Sequence, residues 1–181
     1  MRRTTTVLAT VFLMVALSAG AALAATLNGT DGGDSITGTK DDDLVMGLGG
    51  NDSWLNGGFG DDTIRGGGGD DEIRGSAPRD GHDNGDESSD TLYGESGDDY
   101  VLGGLGPDRL YGGSGDDDLF DGAGEYGTDT SVDHLSGGYG NDTIFAAGGS
   151  SAQDVIRCGP GFDRVHADEG DRVAEDCEQV N

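Results

Sequence analysis

Large apolar residues return along this chain at intervals of nine, as Ile36, Val45, Trp54, Ile64 and Ile73, then Leu92, Val101, Leu110 and Leu119, then Leu135 and Ile144, then Ile156 and Val165. One extra residue after Trp54 breaks the first run. An aspartate stands two places before each member: Asp34, Asp43, Asp52, Asp62, Asp71, Asp90, Asp99, Asp108, Asp117, Asp133, Asp142, Asp154 and Asp163. Val173, with Asp171, reads as a degenerate last copy. A lone apolar residue between polar neighbours predicts a strand of about three residues whose middle side chain alone points inward. Glycine two places before the aspartate, at Gly50, Gly60, Gly69, Gly97, Gly106, Gly115, Gly140 and Gly161, predicts turns with positive φ and close backbone approach, which a Cβ would obstruct. A short strand and a turn in every nonapeptide make a parallel β-helix, with two strands and two turns per coil. About seven coils at a spacing of ~4.8 Å give a rod roughly 30 to 35 Å long.

Composition adds a difficulty for this rod. Only 33% of residues are hydrophobic, so the interior is a thin zipper of Ile, Val and Leu with Trp54 as one oversized member. The 36 acidic side chains face 10 basic ones, for a net charge of -26. Ladders of carboxylates repel one another, and so thin a core cannot offset both that repulsion and chain entropy. The same charge excludes nucleic acid and anionic membrane surfaces as partners and favours cations. Calcium is a hard cation taking six to eight oxygens. A turn offering carbonyls and one carboxylate supplies about half of that shell, and the neighbouring turn the rest. The chain is therefore expected to be disordered without calcium and a β-rich rod with it, with affinity around 10⁻⁴ to 10⁻³ M, as in extracellular modules.

The copies Gly57 to Arg65, Gly66 to Arg74, Gly103 to Tyr111, Gly112 to Phe120 and Gly137 to Phe145 resemble the RTX, or hemolysin-type, calcium-binding nonapeptide repeat. The resemblance implies an all-β fold, a parallel β-roll built as a right-handed solenoid, with several calcium ions between successive turns. It carries the metal role onto Asp34, Asp52, Asp62, Asp71, Asp99, Asp108, Asp117, Asp133, Asp142 and Asp163, and onto backbone carbonyls of the turns holding Gly50, Gly60, Gly69, Gly97, Gly106, Gly115 and Gly140. Thr39 and Asp41 stand where glycines belong in the Gly38 copy, and Ser88 replaces the glycine before Asp90. The stretch from Ile156 to Glu178 resembles the closing segment of short secreted repeat proteins of this type and is read as a cap.

Three segments organise the chain. Residues 1–24 read as a signal peptide: Arg2 and Arg3 precede an apolar run from Val7 to Leu17, and Ala22-Leu23-Ala24 is a small-x-small cleavage site. The run is short for a membrane span. Residues 25–157 are the repeats, with insertions at 75–89, where a longer loop replaces one repeat, at 121–132, and a smaller one over 146–153. Residues 158–181 are the cap, closed by a disulfide between Cys158 and Cys177, the two cysteines of the chain, which pair in an oxidising compartment.

Catalysis has no foothold here. His82, His134 and His166 lack zinc-ligand spacing. Neighbouring carboxylates such as Asp61 and Asp62 diverge at adjacent positions and recur with the repeat, as a single active site would not. Nucleophile-elbow, zincin and P-loop signatures are missing from the sequence. The expected function is calcium binding by a secreted non-catalytic β-roll, structural or adhesive at the cell exterior, with a cell-surface or secreted protein as partner. The alternative is an accessory or stabilising module for a separately encoded secreted enzyme or toxin.

Overall fold

The computed structural model describes residues 24–76, 87–122, 129–147 and 152–181. All but the last residue of the expected signal peptide lies outside them, as do residues 77–86, 123–128 and 148–151 of the three insertions. Each polar-apolar-polar triplet forms a strand because one buried side chain per strand suffices when the coils above and below repeat it. In chain order these are β1 (Thr26–Asn28), β2 (Ser35–Thr37), β3 (Leu44–Met46), β4 (Trp54–Asn56), β5 (Thr63–Gly68), β6 (Glu72–Arg74), β7 (Thr91–Ser96) and β8 (Tyr100–Leu102). They continue with β9 (Arg109–Ser114), β10 (Asp118–Phe120), β11 (His134–Tyr139), β12 (Thr143–Ala146), β13 (Val155–Arg157), β14 (Arg164–Ala167), β15 (Arg172–Val173) and β16 (Gln179–Val180).

Odd-numbered strands form one eight-stranded sheet in the order β1-β3-β5-β7-β9-β11-β13-β15, and even-numbered strands form the other, from β2 to β16. Every pair is parallel. This is a parallel β-roll of eight coils, one more than the spacing predicts. Leu27, buried in β1 and paired with Val45, begins it. Val180 in β16 ends it and is exposed.

The core is one row of aliphatic side chains from each sheet, and the largest fully buried side chains are all Leu, Ile or Val. Trp54 does not belong to it. Leu55 is fully buried in its place, in register with Ile36 and Ile73, while Trp54 pairs with Ser35. The extra residue therefore falls before the strand, at Ser53, whose N–H donates to the Asp34 carbonyl. An indole would overfill a slot cut for aliphatic groups; on the outer face it takes the Arg74 guanidinium 5.0 Å from its ring. Leu55→Ala is expected to cost about 2 to 5 kcal/mol and Trp54→Ala roughly half of that or less, by urea unfolding in excess calcium. The reverse ranking would restore Trp54 to the core.

The loop at 75–89 likewise replaces no repeat. Ile73 pairs with Val101 in one sheet, and Leu92 pairs with Ile64 in the other. Alternation between sheets continues across the loop, so it lengthens one turn and leaves the coil count intact. Had a nonapeptide been lost, Leu92 would have returned to the sheet of Ile73.

Because parallel coils stack like positions, outward side chains form short ladders. Tyr93 and Tyr111 stack at 4.9 Å with Arg65 over Tyr93, and Phe120, Phe145 and His166 stack at 4.7 Å per step. His166 is thus a member of an aromatic stack. The cap is tied by the Cys158–Cys177 disulfide, with Cα atoms 5.2 Å apart and a sequence separation of 19. A closed loop of that size stabilises by roughly 3 kcal/mol in the loop-entropy picture. Asp176 accepts from the Cys158 and Gly159 N–H groups.

Candidate metal centres in the turns

The turns align the repeat aspartates into two columns, one on each side of the roll. In the first, the backbone N–H of Asp43 donates to Oδ1 of Asp62 at 2.7 Å, and Asp62, Asp90, Asp108 and Asp133 each donate to the next aspartate of the column, ending the series at Asp154. Asp154 donates in turn to Asp171. In the second, Asp34, Asp52, Asp71, Asp99, Asp117 and Asp142 donate to the next member at 2.8 to 3.0 Å as far as Asp163. Glu178 closes it by accepting from Asp163 at 2.9 Å. Partners lie 15 to 28 residues apart in sequence, so each column survives every insertion.

Oδ1 is therefore a structural acceptor, and the chemistry falls to Oδ2. In Asp52, Asp71, Asp99, Asp108, Asp117, Asp142 and Asp163 this oxygen is buried and receives no donor. A buried carboxylate oxygen without a partner is costly, and a whole column of them marks a missing ligand. Glycine at the first position of the copy makes room for it. A Cβ at Gly103 would lie 2.6 Å from Oδ2 of Asp108, and one at Gly66, Gly94, Gly112 or Gly137 would collide with Oδ2 of Asp71, Asp99, Asp117 or Asp142.

Glycine two places before the aspartate serves another need. Gly50, Gly60, Gly69, Gly97, Gly106, Gly115 and Gly140 all hold φ between 91° and 141°. Carbonyls there point coil over coil: a Cβ at Gly69 would stand 2.6 Å from the Gly50 oxygen, and one at Gly97, Gly115 or Gly140 would strike the oxygen of Gly69, Gly97 or Gly115. Gly161 departs from the series, since Gly159 carries the positive φ of that turn. Backbone oxygens and buried carboxylates thus line the same turns, which is the donor set of a hard cation.

Electrostatics agree with the geometry. Burial, reinforced by neighbouring aspartates and opposed by the backbone N–H bond, pushes Asp71 and Asp142 up to about 6, Asp99 to about 7, Asp117 to about 8 and Asp108 to about 9. Without counter-charge Asp108 and Asp117 hold their protons at neutral pH, while Asp71 and Asp142 take theirs up only as the pH falls to about 6. A cation relieves the same strain by neutralising the carboxylates directly.

Among the predicted ligands, Asp34 and Asp133 have different surroundings. Oδ2 of Asp34 takes the Thr30 N–H at 2.6 Å and the Thr30 hydroxyl at 3.0 Å. Thr39 treats Asp43 the same way through its N–H. Asp133 faces two aspartates, Asp121 and Asp154. Asp43, Asp90 and Asp154 also stand in the columns, although the Thr39, Ser88 and insertion departures had set their turns apart from the repeat. Only coil stacking places them there. The neighbouring acids diverge as expected: Asp70, Asp98 and Asp116 form an exposed outer column, with Asp116 N–H donating to Asp98 at 2.8 Å.

The family described as RTX calcium-binding nonapeptide repeat matches residues 20–53, 54–77, 84–110, 102–125 and 128–150, which together cover more than half of the chain. A search of curated proteins returns no match. Among the described residues no helix is long and apolar enough to cross a membrane.

Proposed function

Because the chain belongs to the family of RTX calcium-binding nonapeptide repeats, we propose that it is a secreted, non-catalytic β-roll that takes several calcium ions into its turns, folds as it does so, and serves outside the cell as a structural or adhesive module. The observation that carries this reading is the register of buried, donor-free Oδ2 atoms along the turns. The ligands on this reading are Asp34, Asp52, Asp62, Asp71, Asp99, Asp108, Asp117, Asp133, Asp142 and Asp163. Asp34 is the weakest of the set because Thr30 competes for its oxygen. Carbonyls of the turns at Gly50, Gly60, Gly69, Gly97, Gly106, Gly115 and Gly140 complete the shells. Bound calcium supplies the positive charge that neutralises neighbouring carboxylates and bridges one coil to the next. The chain's own part is positional: Oδ1 bonds hold each carboxylate in register, and glycine keeps the turn open.

The exterior is where such a chain finds calcium, and the segment 1–24 reads as its export signal. Asp99→Asn, which keeps the Oδ1 bond to Asp71 and removes charge, is expected to lower the calcium stoichiometry and raise half-saturation about tenfold by isothermal titration calorimetry. A wild-type titration curve from that variant would overturn the assignment. For the adhesive role, deletion of residues 75–89 should reduce binding of the purified chain to cells, and undiminished binding would remove that role.

A further inference from the structure

One acidic cluster does not follow the repeat. Asp121 occupies the first position of its copy, where Gly103, Gly112 and Gly137 stand in others, and its backbone keeps the coil register, with its N–H on the Phe145 carbonyl and the Gly104 N–H on its own carbonyl. In regular copies a Cβ at this position collides with Oδ2 of the aspartate five places on. Here that aspartate is Asp133, twelve places on, and an aspartate side chain stands where the glycine would be. Carboxylate oxygens of Asp121, Asp133 and Asp154 lie within 4.8 Å of one another.

A fourth buried carboxylate, outside that group of three, stands nearby in the insertion. Asp129 is 6% exposed. Its Oδ1 accepts the Ser131 N–H at 2.9 Å, and its Oδ2 is buried without any donor. The Asp129 Cβ packs 2.9 Å from where a Cβ on Gly122 would stand, next to Asp121. After burial, the charges of Asp154 and then Asp129 raise Asp121 to about 7, and those of Asp129 and then Asp154 and Asp121 raise Asp133 to about 8. The two ion pairs among the described residues, Arg65 with Glu95 and Arg74 with Glu72, lie elsewhere.

We propose that Asp121, Asp129, Asp133 and Asp154 form one further cation site, sharing Asp133 and Asp154 with the first column, built from side-chain carboxylates rather than turn carbonyls, that takes a hard divalent ion and holds calcium more tightly than any regular turn. Affinity in oxygen sites rises with the number of charged ligands, and this site gathers four where a turn presents one from each coil. It rests on the reading that the roll binds calcium, and it makes the 121–132 insertion a part of the binding apparatus rather than a surface excursion.

The test is calcium titration calorimetry on the full chain, beside Asp121→Gly, which restores the residue of the repeat, and Asp129→Asn, which is isosteric. Both variants are expected to lose one ion and to lack the tightest class, the best remaining site being at least about tenfold weaker, while circular dichroism at saturating calcium stays at wild type. Should Asp121→Gly fail to reach that signal, Asp129→Asn decides. Variants that keep the wild-type tight class overturn this site and leave calcium binding by the turns standing. A wild-type chain that takes up no calcium overturns both.

Discussion

Stripped of calcium by chelator at pH 8, the chain is expected to lose its strand signal in far-ultraviolet circular dichroism, and millimolar calcium to restore it in one cooperative step. The core contributes one aliphatic side chain per strand, Val45, Ile64, Leu92 and Leu110 in one sheet and Leu55, Ile73, Val101 and Leu119 in the other. Ordering a backbone costs about 1 to 2 kcal/mol per residue, and a net charge of -26 opposes compaction further. Each coil touches only its neighbours, so stability adds along the roll, and a cation between coils stabilises two at once. Magnesium demands smaller octahedral geometry and retains its water, so it should restore far less signal at equal concentration. A strand signal indifferent to excess chelator would remove the coupling between binding and folding.

In the absence of calcium, acid should partly replace it. The carboxyls of Asp71, Asp99, Asp108, Asp117 and Asp142 stand at about 6 to 9 in the roll, raised first by burial, against about 3.9 in an unfolded chain. Between those limits the folded state holds more protons than the unfolded one, so stability rises as pH falls. Their contribution is complete below about pH 4 and is lost as pH climbs through 6 to 9. Chelated protein brought from pH 8 to pH 5 should therefore gain strand signal. Calcium must displace the same protons, so its half-saturation concentration should increase over that range, with protons released on binding. A chelated chain with the same spectrum at both pH values would contradict the burial of these groups.

Much of this was legible in the order of residues. The apolar row at Ile36, Ile64 and Ile73, the aspartates two places ahead and the glycines two further back specify strand, ligand column and turn, because each depends on fewer than nine consecutive residues. What failed to show was phase. Trp54 and Leu55 are both apolar and adjacent, and nine- and ten-residue steps read equally well until the sheets decide which one fits an aliphatic slot. The loop at 75–89 posed the same problem on a larger scale, since only sheet pairing distinguishes a lost repeat from a lengthened turn.

By itself the sequence determined the coil, its acidic turns and its demand for a hard cation, since periodicity and charge are local properties. Tertiary structure decided which oxygen of the column aspartates accepts from the preceding coil and which stays buried without a donor. It also decided that Thr30 and Thr39 cap two of the columns' first members, and that Asp121 meets Asp133 and Asp154. The Thr30 and Thr39 caps are local, four residues from their aspartates, but the columns depend on contacts between coils 15 to 28 residues apart, whose separations vary with every insertion and are fixed only when parallel strands stack in register.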